Sequence, residues 1–115
     1  MKTLYLIMSL LARFPCTDGE SAEGIASKLD HYWQKYPNTF VEAIRQEEKQ
    51  FSYRNDSCAR NARKSYSNNT IANLTGELIA SQEGLDTQSS DRACKMMKNP
   101  KNKDVLAFLS WTCNK

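Results

Sequence analysis

FVEAIRQEEKQFSYRNDSCARNARKSY, residues 40–66, lies in the longest run of the chain without proline or glycine. Its apolar residues recur every three or four positions, which predicts the central helix of the fold. Asn38 is suited to cap the N-terminus, and Glu42 falls in the first turn, where the helix dipole favours negative charge. One stripe of this helix carries Phe40, Ile44, Glu47, Phe51, Arg54, Cys58 and Ala62.

Glu47 and Arg54 are two charged members of an otherwise mainly apolar stripe, and they lie two helical turns apart. Burying a charge is costly unless a partner satisfies it. Either the stripe opens to solvent at this point, or the two side chains are sheltered and paired. We predict that Glu47 and Arg54 form a structural ion pair that serves the scaffold more than any ligand.

Further segments of helical periodicity flank the central helix. They begin near residues 25, 71, 91 and 103, and proline or glycine separates several of them. No alternating apolar pattern of the strand type occurs between turn residues. The sequence therefore predicts an all-α fold, a small irregular helical bundle of four or five helices, with residues 13–115 as a single disulfide-linked domain.

The N-terminal residues 1–12, MKTLYLIMSLLA, have one lysine followed by an apolar stretch. This arrangement is typical of a secretory signal peptide, and it is too short to span a bilayer. The alternative is an apolar helix or strand packed on the core, since Arg13 and Pro15 follow at once without a clean cleavage site. We predict export with cleavage near Ala12, a secreted or periplasmic protein, and no stable membrane insertion.

Four cysteines, Cys16, Cys58, Cys94 and Cys113, are separated by 42, 36 and 19 positions. Metal sites favour close pairs such as C-x-x-C, which the chain lacks, so structural disulfides are the preferred interpretation in an exported protein. Three pairings are possible for four cysteines. We favour Cys58 with Cys94, which leaves Cys16 to join Cys113.

The composition argues against several classes of function. A net charge of +3 is small, and the basic residues are spread without a concentrated stripe, so we expect no nucleic-acid binding. The single histidine, His31, is expected at the surface, and Glu42, Glu47 and Glu48 lie in a helix rich in basic partners. The sequence has no P-loop, no G-x-S-x-G nucleophile elbow and no H-E-x-x-H zinc-protease motif. We therefore expect that the protein is not an enzyme and has no cofactor or metal.

Two spaced patterns precede and include Cys58: A26-x-x-L29-D30-x-x-W33, then A43-x-x-x-E47-x-x-x-x-x-Y53-R54-N55-x-x-C58. They resemble the LprI-like lysozyme-inhibitor family of small exported helical proteins. Glu47, Tyr53, Arg54 and Cys58 fall on positions of that family's motif, with Cys94 as its later cysteine. The resemblance implies a periplasmic or secreted protein that binds lysozyme and is not a catalyst.

Two functions follow as expectations. The first is an inhibitor of lysozyme or another peptidoglycan hydrolase, which needs a protruding element to enter the cleft of its target. The polar segments 67–70 and 84–90 are the predicted candidates. The alternative is a secreted structural or host-interaction module with no hydrolase target.

Overall fold

The computed structural model of this chain describes residues 2–16, 20–83, 87–103 and 105–106. Within these residues the chain forms six α-helices and no strand. The helices are α1 (Lys2–Arg13), α2 (Glu20–Lys35), α3 (Pro37–Ser52), α4 (Ser57–Ser65), α5 (Thr70–Glu83) and α6 (Thr87–Met96). Short 3-10 turns at Phe14–Cys16 and Pro100–Asn102 follow α1 and α6. The all-α prediction is confirmed, with more helices than the four or five expected.

The prediction of one central helix over residues 40–66 is wrong, because this segment forms two helices, α3 and α4, with a turn between them. Asp56 caps α4 by accepting a hydrogen bond from the amide of Ala59 at 3.3 Å. This side chain offers the backbone a helix start that competes with continuation of α3. The sequence Asn55-Asp56-Ser57 carried that signal.

The start of α3 also differs from the prediction by two residues. Tyr36 occupies the cap position and Pro37 the first helical position, so Asn38 lies inside the helix. Proline suits this place, because its missing N–H would have no partner within the helix and its φ angle is already helical. Tyr36 alone therefore separates α2 from α3.

The core lies where α1, α2 and α5 meet α3. The ring centroids of Trp33 and Phe40 lie 5.7 Å apart across the turn between α2 and α3, and both side chains are fully buried. The largest fully buried side chains are Trp33, Phe40, Phe51, Ile7, Leu11, Leu29, Ile44, Ile71, Ile79 and Leu106.

Helix α5 is joined to α3 by a carboxylate as well as by apolar packing. Glu48 of α3 accepts hydrogen bonds from the backbone amides of Ile71, at 3.1 Å to each carboxylate oxygen, and Ala72, at 3.3 Å. The first amides of a helix have no partner within it, and the helix dipole favours an anion there. Glu48 thus satisfies the N-terminus of α5.

Helix α1 is formed by the segment that resembles a secretory leader. Ile7, Leu10 and Leu11 are buried in the common core, and α1 packs extensively on α3. This is the packed-helix alternative to a cleaved leader. Cleavage near Ala12 stays a prediction, and it would remove these three side chains from the core, so every contact of α1 given below belongs to the uncleaved chain.

The 3-10 turn at Pro100–Asn102 contacts α3 through hydrogen bonds. Arg45 of α3 donates to the side-chain oxygen of Asn102 at 2.6 Å and to the carbonyl of Lys101 at 3.3 Å. Asn102 in turn donates to the carbonyl of Met96 at 3.0 Å. Most of the helix predicted to begin near residue 103 lies outside the described residues. No helix in the described part of the chain is long and apolar enough to cross a membrane.

Candidate functional site

The candidate site is the turn between α3 and α4, residues 53–58, which we call the α3–α4 corner. Its first residue, Tyr53, is 85% exposed, the highest value among the large hydrophobic residues at the described surface. A tyrosine ring in water loses the stabilisation that burial of its apolar body would provide. Tyr53 thus lies on a corner whose other residues make the contacts described below.

A disulfide anchors the α3–α4 corner to the N-terminal part of the chain. Cys58 at the start of α4 is bonded to Cys16 in the 3-10 turn after α1, with the two Cα atoms 5.7 Å apart. The expected pairs Cys58–Cys94 and Cys16–Cys113 are therefore both wrong. Cys94 is also disulfide-bonded, and Cys113 lies outside the described residues.

Arg54 is the centre of the polar contacts at the corner. It donates from Nε and Nη2 to the two carboxylate oxygens of Asp56, at 2.9 and 3.0 Å, and from Nη1 to the carbonyl of Ala12 at 3.0 Å. A further N–H of Arg54 approaches the sulfur of Cys16 at 3.5 Å. The planar guanidinium thereby joins the corner to the end of α1.

The ion pair of Arg54 differs from the prediction, because its partner is Asp56 and not Glu47. Glu47 is buried on α3, and the charge of Arg54 acts on it only through space. The break after Ser52 turns Arg54 away from the stripe on which an unbroken helix would have placed it. Hydrogen bonds from Arg54 lower the pKa of Asp56 to about 2.

A second arginine, on α4, hydrogen-bonds to backbone carbonyls beside the corner. Arg63 donates to the carbonyls of Phe51, at 2.9 Å, and Arg54, at 2.7 Å. The Phe51 carbonyl belongs to the last turn of α3, where carbonyls lack partners within the helix, and the Arg54 carbonyl lies two residues beyond that helix. The guanidinium groups of Arg54 and Arg63 also lie 5.2 and 5.8 Å from the centre of the Phe51 ring, within the range of cation–π attraction.

We expect Arg54→Ala to lower the free energy of unfolding by about 1 to 3 kcal/mol, because the carboxylate of Asp56 and the carbonyl of Ala12 lose their donor. Arg54→Lys should restore only part of this, since an ammonium cannot reproduce the paired contacts to Asp56. Urea unfolding followed by circular dichroism measures both changes. A variant Arg54→Ala as stable as the wild type would contradict a structural role.

Glu47 is 6% exposed, and burial raises the pKa of its carboxyl above 4.5, with the charge of Arg54 acting in the opposite direction. A raised pKa means that the folded protein binds the proton more tightly than the unfolded chain. The charged form of Glu47 therefore costs stability, and this cost grows as the pH rises from about 4.5 through the folded pKa.

We accordingly expect Glu47→Gln to be more stable than the wild type at pH 7, with a difference that shrinks towards pH 4. Glutamine keeps the shape of the side chain and removes the charge that burial disfavours. Urea unfolding of both proteins at pH 4 and pH 7 measures the difference. A Gln variant that is less stable at pH 7 would mean that attraction to Arg54 outweighs the desolvation of Glu47.

The corner contains one group of atoms with the spacing of a metal site. The sulfurs of Cys16 and Cys58 and a carboxylate oxygen of Asp56 lie within 4.8 Å of one another. The two sulfurs are joined to each other in a disulfide, so neither is a thiolate that could bind a metal. Arg54 also places a positive charge on the same carboxylate. This group therefore holds the fold at the corner.

The other residues considered for chemistry lie apart from the corner. His31 is exposed on α2. On α3, Glu42 forms an ion pair with Arg45 and accepts a hydrogen bond from Gln46 at 3.2 Å, while Glu48 binds the N-terminus of α5. These contacts give each of the two carboxylates a structural partner.

Of the two segments predicted to protrude, residues 67–69 form an exposed bend before α5. Asn69 there has a φ of 53°, a left-handed conformation that asparagine tolerates. Residues 84–86 lie outside the described part, and residues 87–90 begin α6. The exposure of Tyr53 and the contacts of Arg63 were not predicted, although the N-cap signal at Asp56 indicated a turn beside them.

Comparisons with protein-family models, with curated proteins and with solved structures found no match for this chain.

Proposed function

We propose that this protein is an exported binding protein that inhibits lysozyme or a related peptidoglycan hydrolase by presenting Tyr53 on the α3–α4 corner. The observation that carries the proposal is the 85% exposure of Tyr53 on a turn held by a disulfide and two arginines. Inhibition of an enzyme by a small protein needs an element that keeps its shape while it enters the target's cleft.

The contacts that hold the corner in place favour binding, because they order the corner before it meets a partner. Ordering a flexible loop during binding costs about 0.5 to 1.5 kcal/mol for each immobilised side chain, and a pre-formed loop avoids much of this cost. Tyrosine is enriched among the residues that contribute most to binding, since its ring buries a large apolar area and its hydroxyl can hydrogen-bond. Tyr53 combines both advantages.

The resemblance to the LprI-like family supports the same assignment. Tyr53, Arg54 and Cys58 belong to the shared pattern, and they have different roles in this fold. Arg54 and Cys58 join the corner to the N-terminal part of the chain: Arg54 donates to the Ala12 carbonyl, and Cys58 is bonded to Cys16. Tyr53 is the exposed aromatic residue of the pattern, and its ring is accessible to a partner.

An oxidising compartment fits this function. Cys16, Cys58 and Cys94 are disulfide-bonded, and such bonds persist in secreted and periplasmic proteins rather than in a reducing cytosol. Peptidoglycan hydrolases act in the same compartments. The disulfides thus support the proposal that the protein acts outside the cytoplasmic membrane.

The test is a panel of muramidases and peptidoglycan amidases assayed with the oxidised protein. We expect at least one enzyme to be inhibited, and Tyr53→Ala to weaken that inhibition about 30-fold, since a central tyrosine typically contributes 2 kcal/mol or more. The stability of Tyr53→Ala should match the wild type because the ring is exposed.

The matched control is Tyr5→Ala on α1, which removes another exposed tyrosine, 66% accessible, away from the corner. This variant should inhibit like the wild type. If no enzyme of the panel is inhibited, the protein is better described as a secreted structural or host-interaction module. Equal losses for Tyr5→Ala and Tyr53→Ala would remove the corner from the proposal.

A further inference from the structure

A groove of about 360 Å³ runs between α1 and α2, and none of residues 53–58 of the α3–α4 corner lines it. Its apolar lining comes from Leu6 and Leu10 of α1 and Tyr32 of α2. Leu10 is only 5% exposed, whereas Leu6 is 53% exposed beside it. The groove has the size of a small-ligand site, and it leaves part of an apolar helix face open to water.

The charged side chains that line this groove, among the residues that the structure describes, are basic. Arg13 at the end of α1 and Lys28 on α2 are exposed cations in this lining. Within the part of the chain that the structure describes, the groove is lined by no aspartate or glutamate. A groove lined by one sign of charge attracts ligands of the opposite sign.

The apolar and basic residues follow one another along α1. Leu6, Leu10 and Arg13 are spaced by four and three positions, so they share one face of the helix. At a rise of 1.5 Å per residue this row spans about 10 Å. Its apolar part precedes its charged end, which matches a molecule with an alkyl chain and an anionic head group.

We propose that the α1–α2 groove binds a single-chain anionic amphiphile, with the alkyl chain along Leu6 and Leu10 and the head group towards Arg13 and Lys28. A flat bilayer surface fits less well, because Leu10 lies at the floor between two helices where an alkyl chain can reach it and a planar surface cannot. This site is separate from the function proposed for Tyr53.

The test is calorimetric titration of the full oxidised chain with decanoate below its micelle concentration. Decyl glucoside supplies the same chain without charge, and acetate supplies the charge without the chain. We expect decanoate to bind at least about ten-fold more tightly than either, since it alone satisfies both parts of the groove. Leu6→Asn and Lys28→Gln should each weaken decanoate binding by about three-fold or more.

Lys35→Gln is the matched control, because Lys35 is an exposed lysine of the same helix that lies over the Tyr36 ring and outside the groove. It should bind decanoate like the wild type. Circular dichroism checks that each variant keeps its helices. Equal binding of decyl glucoside, an equal loss in Lys35→Gln, or binding to anionic vesicles without binding to decanoate would each overturn the proposal.

Discussion

Removal of the Cys16–Cys58 disulfide should lower the free energy of unfolding by about 4 kcal/mol. The bond joins residues 42 positions apart, and in the chain-entropy description a loop of that length restricts the unfolded chain by about this amount. The loss is a large part of the 5 to 15 kcal/mol, roughly, that stabilises a typical small domain. It also frees the α3–α4 corner from the end of α1.

The measurement is urea unfolding of the oxidised wild type and of the double variant Cys16→Ser with Cys58→Ser. Peptide mapping without reduction should recover a fragment that links Cys16 to Cys58. Reductant should still destabilise the double variant, because Cys94 is disulfide-bonded as well. A double variant as stable as the oxidised wild type, or a map that links Cys58 to Cys94, would contradict the expected result.

The helices could be predicted where a periodic apolar pattern ends at a strong local signal. α2 stops before Pro37 as expected, and α5 begins after the polar cluster at residues 67–69. These boundaries depend on backbone chemistry close in the sequence, which a pattern records directly. Apolar periodicity then identified the faces that the core buries, including Phe40, Ile44 and Phe51.

The α3–α4 corner could not be predicted in the same way, because the apolar stripe continues across it. Asp56 provides a helix cap in the middle of a pattern that still satisfies helical spacing at Cys58 and Ala62. A local cap and a long-range disulfide together outweigh continuation of α3. Which cysteine lies beside Cys58 depends on the packing of α1, and sequence spacing does not contain that information.

The ion-pair partner of Arg54 could not be predicted either, because it depends on the turn between α3 and α4. In an unbroken helix Glu47 and Arg54 would share a face, and the prediction of a direct pair followed from that geometry. Once the chain turns after Ser52, Arg54 meets Asp56 and the Ala12 carbonyl. The expectation that Arg54 serves the scaffold agrees with these contacts, although the residue it pairs with is different.

Deletion of residues 2–12 should abolish cooperative folding, because α1 supplies part of the common core. Ile7, Leu10 and Leu11 are buried there, and burial of each stabilises the fold by about 1.5 to 3 kcal/mol. Their combined loss is comparable with the whole stability of a small domain, about 5 to 15 kcal/mol. The faces of α3 that α1 covers would also become exposed to water.

Two point variants of α1 separate this role from a general effect of shortening the chain. Leu11→Ala, at a fully buried position, should cost about 2 to 5 kcal/mol, because it leaves a cavity that the core cannot refill. Leu6→Ala makes the same chemical change at an exposed position of the same helix and should cost less than about 0.5 kcal/mol. Urea unfolding of the three proteins decides the question. If the shortened chain and Leu11→Ala unfold like the wild type, α1 is dispensable and its apolar pattern is better explained as a cleaved leader.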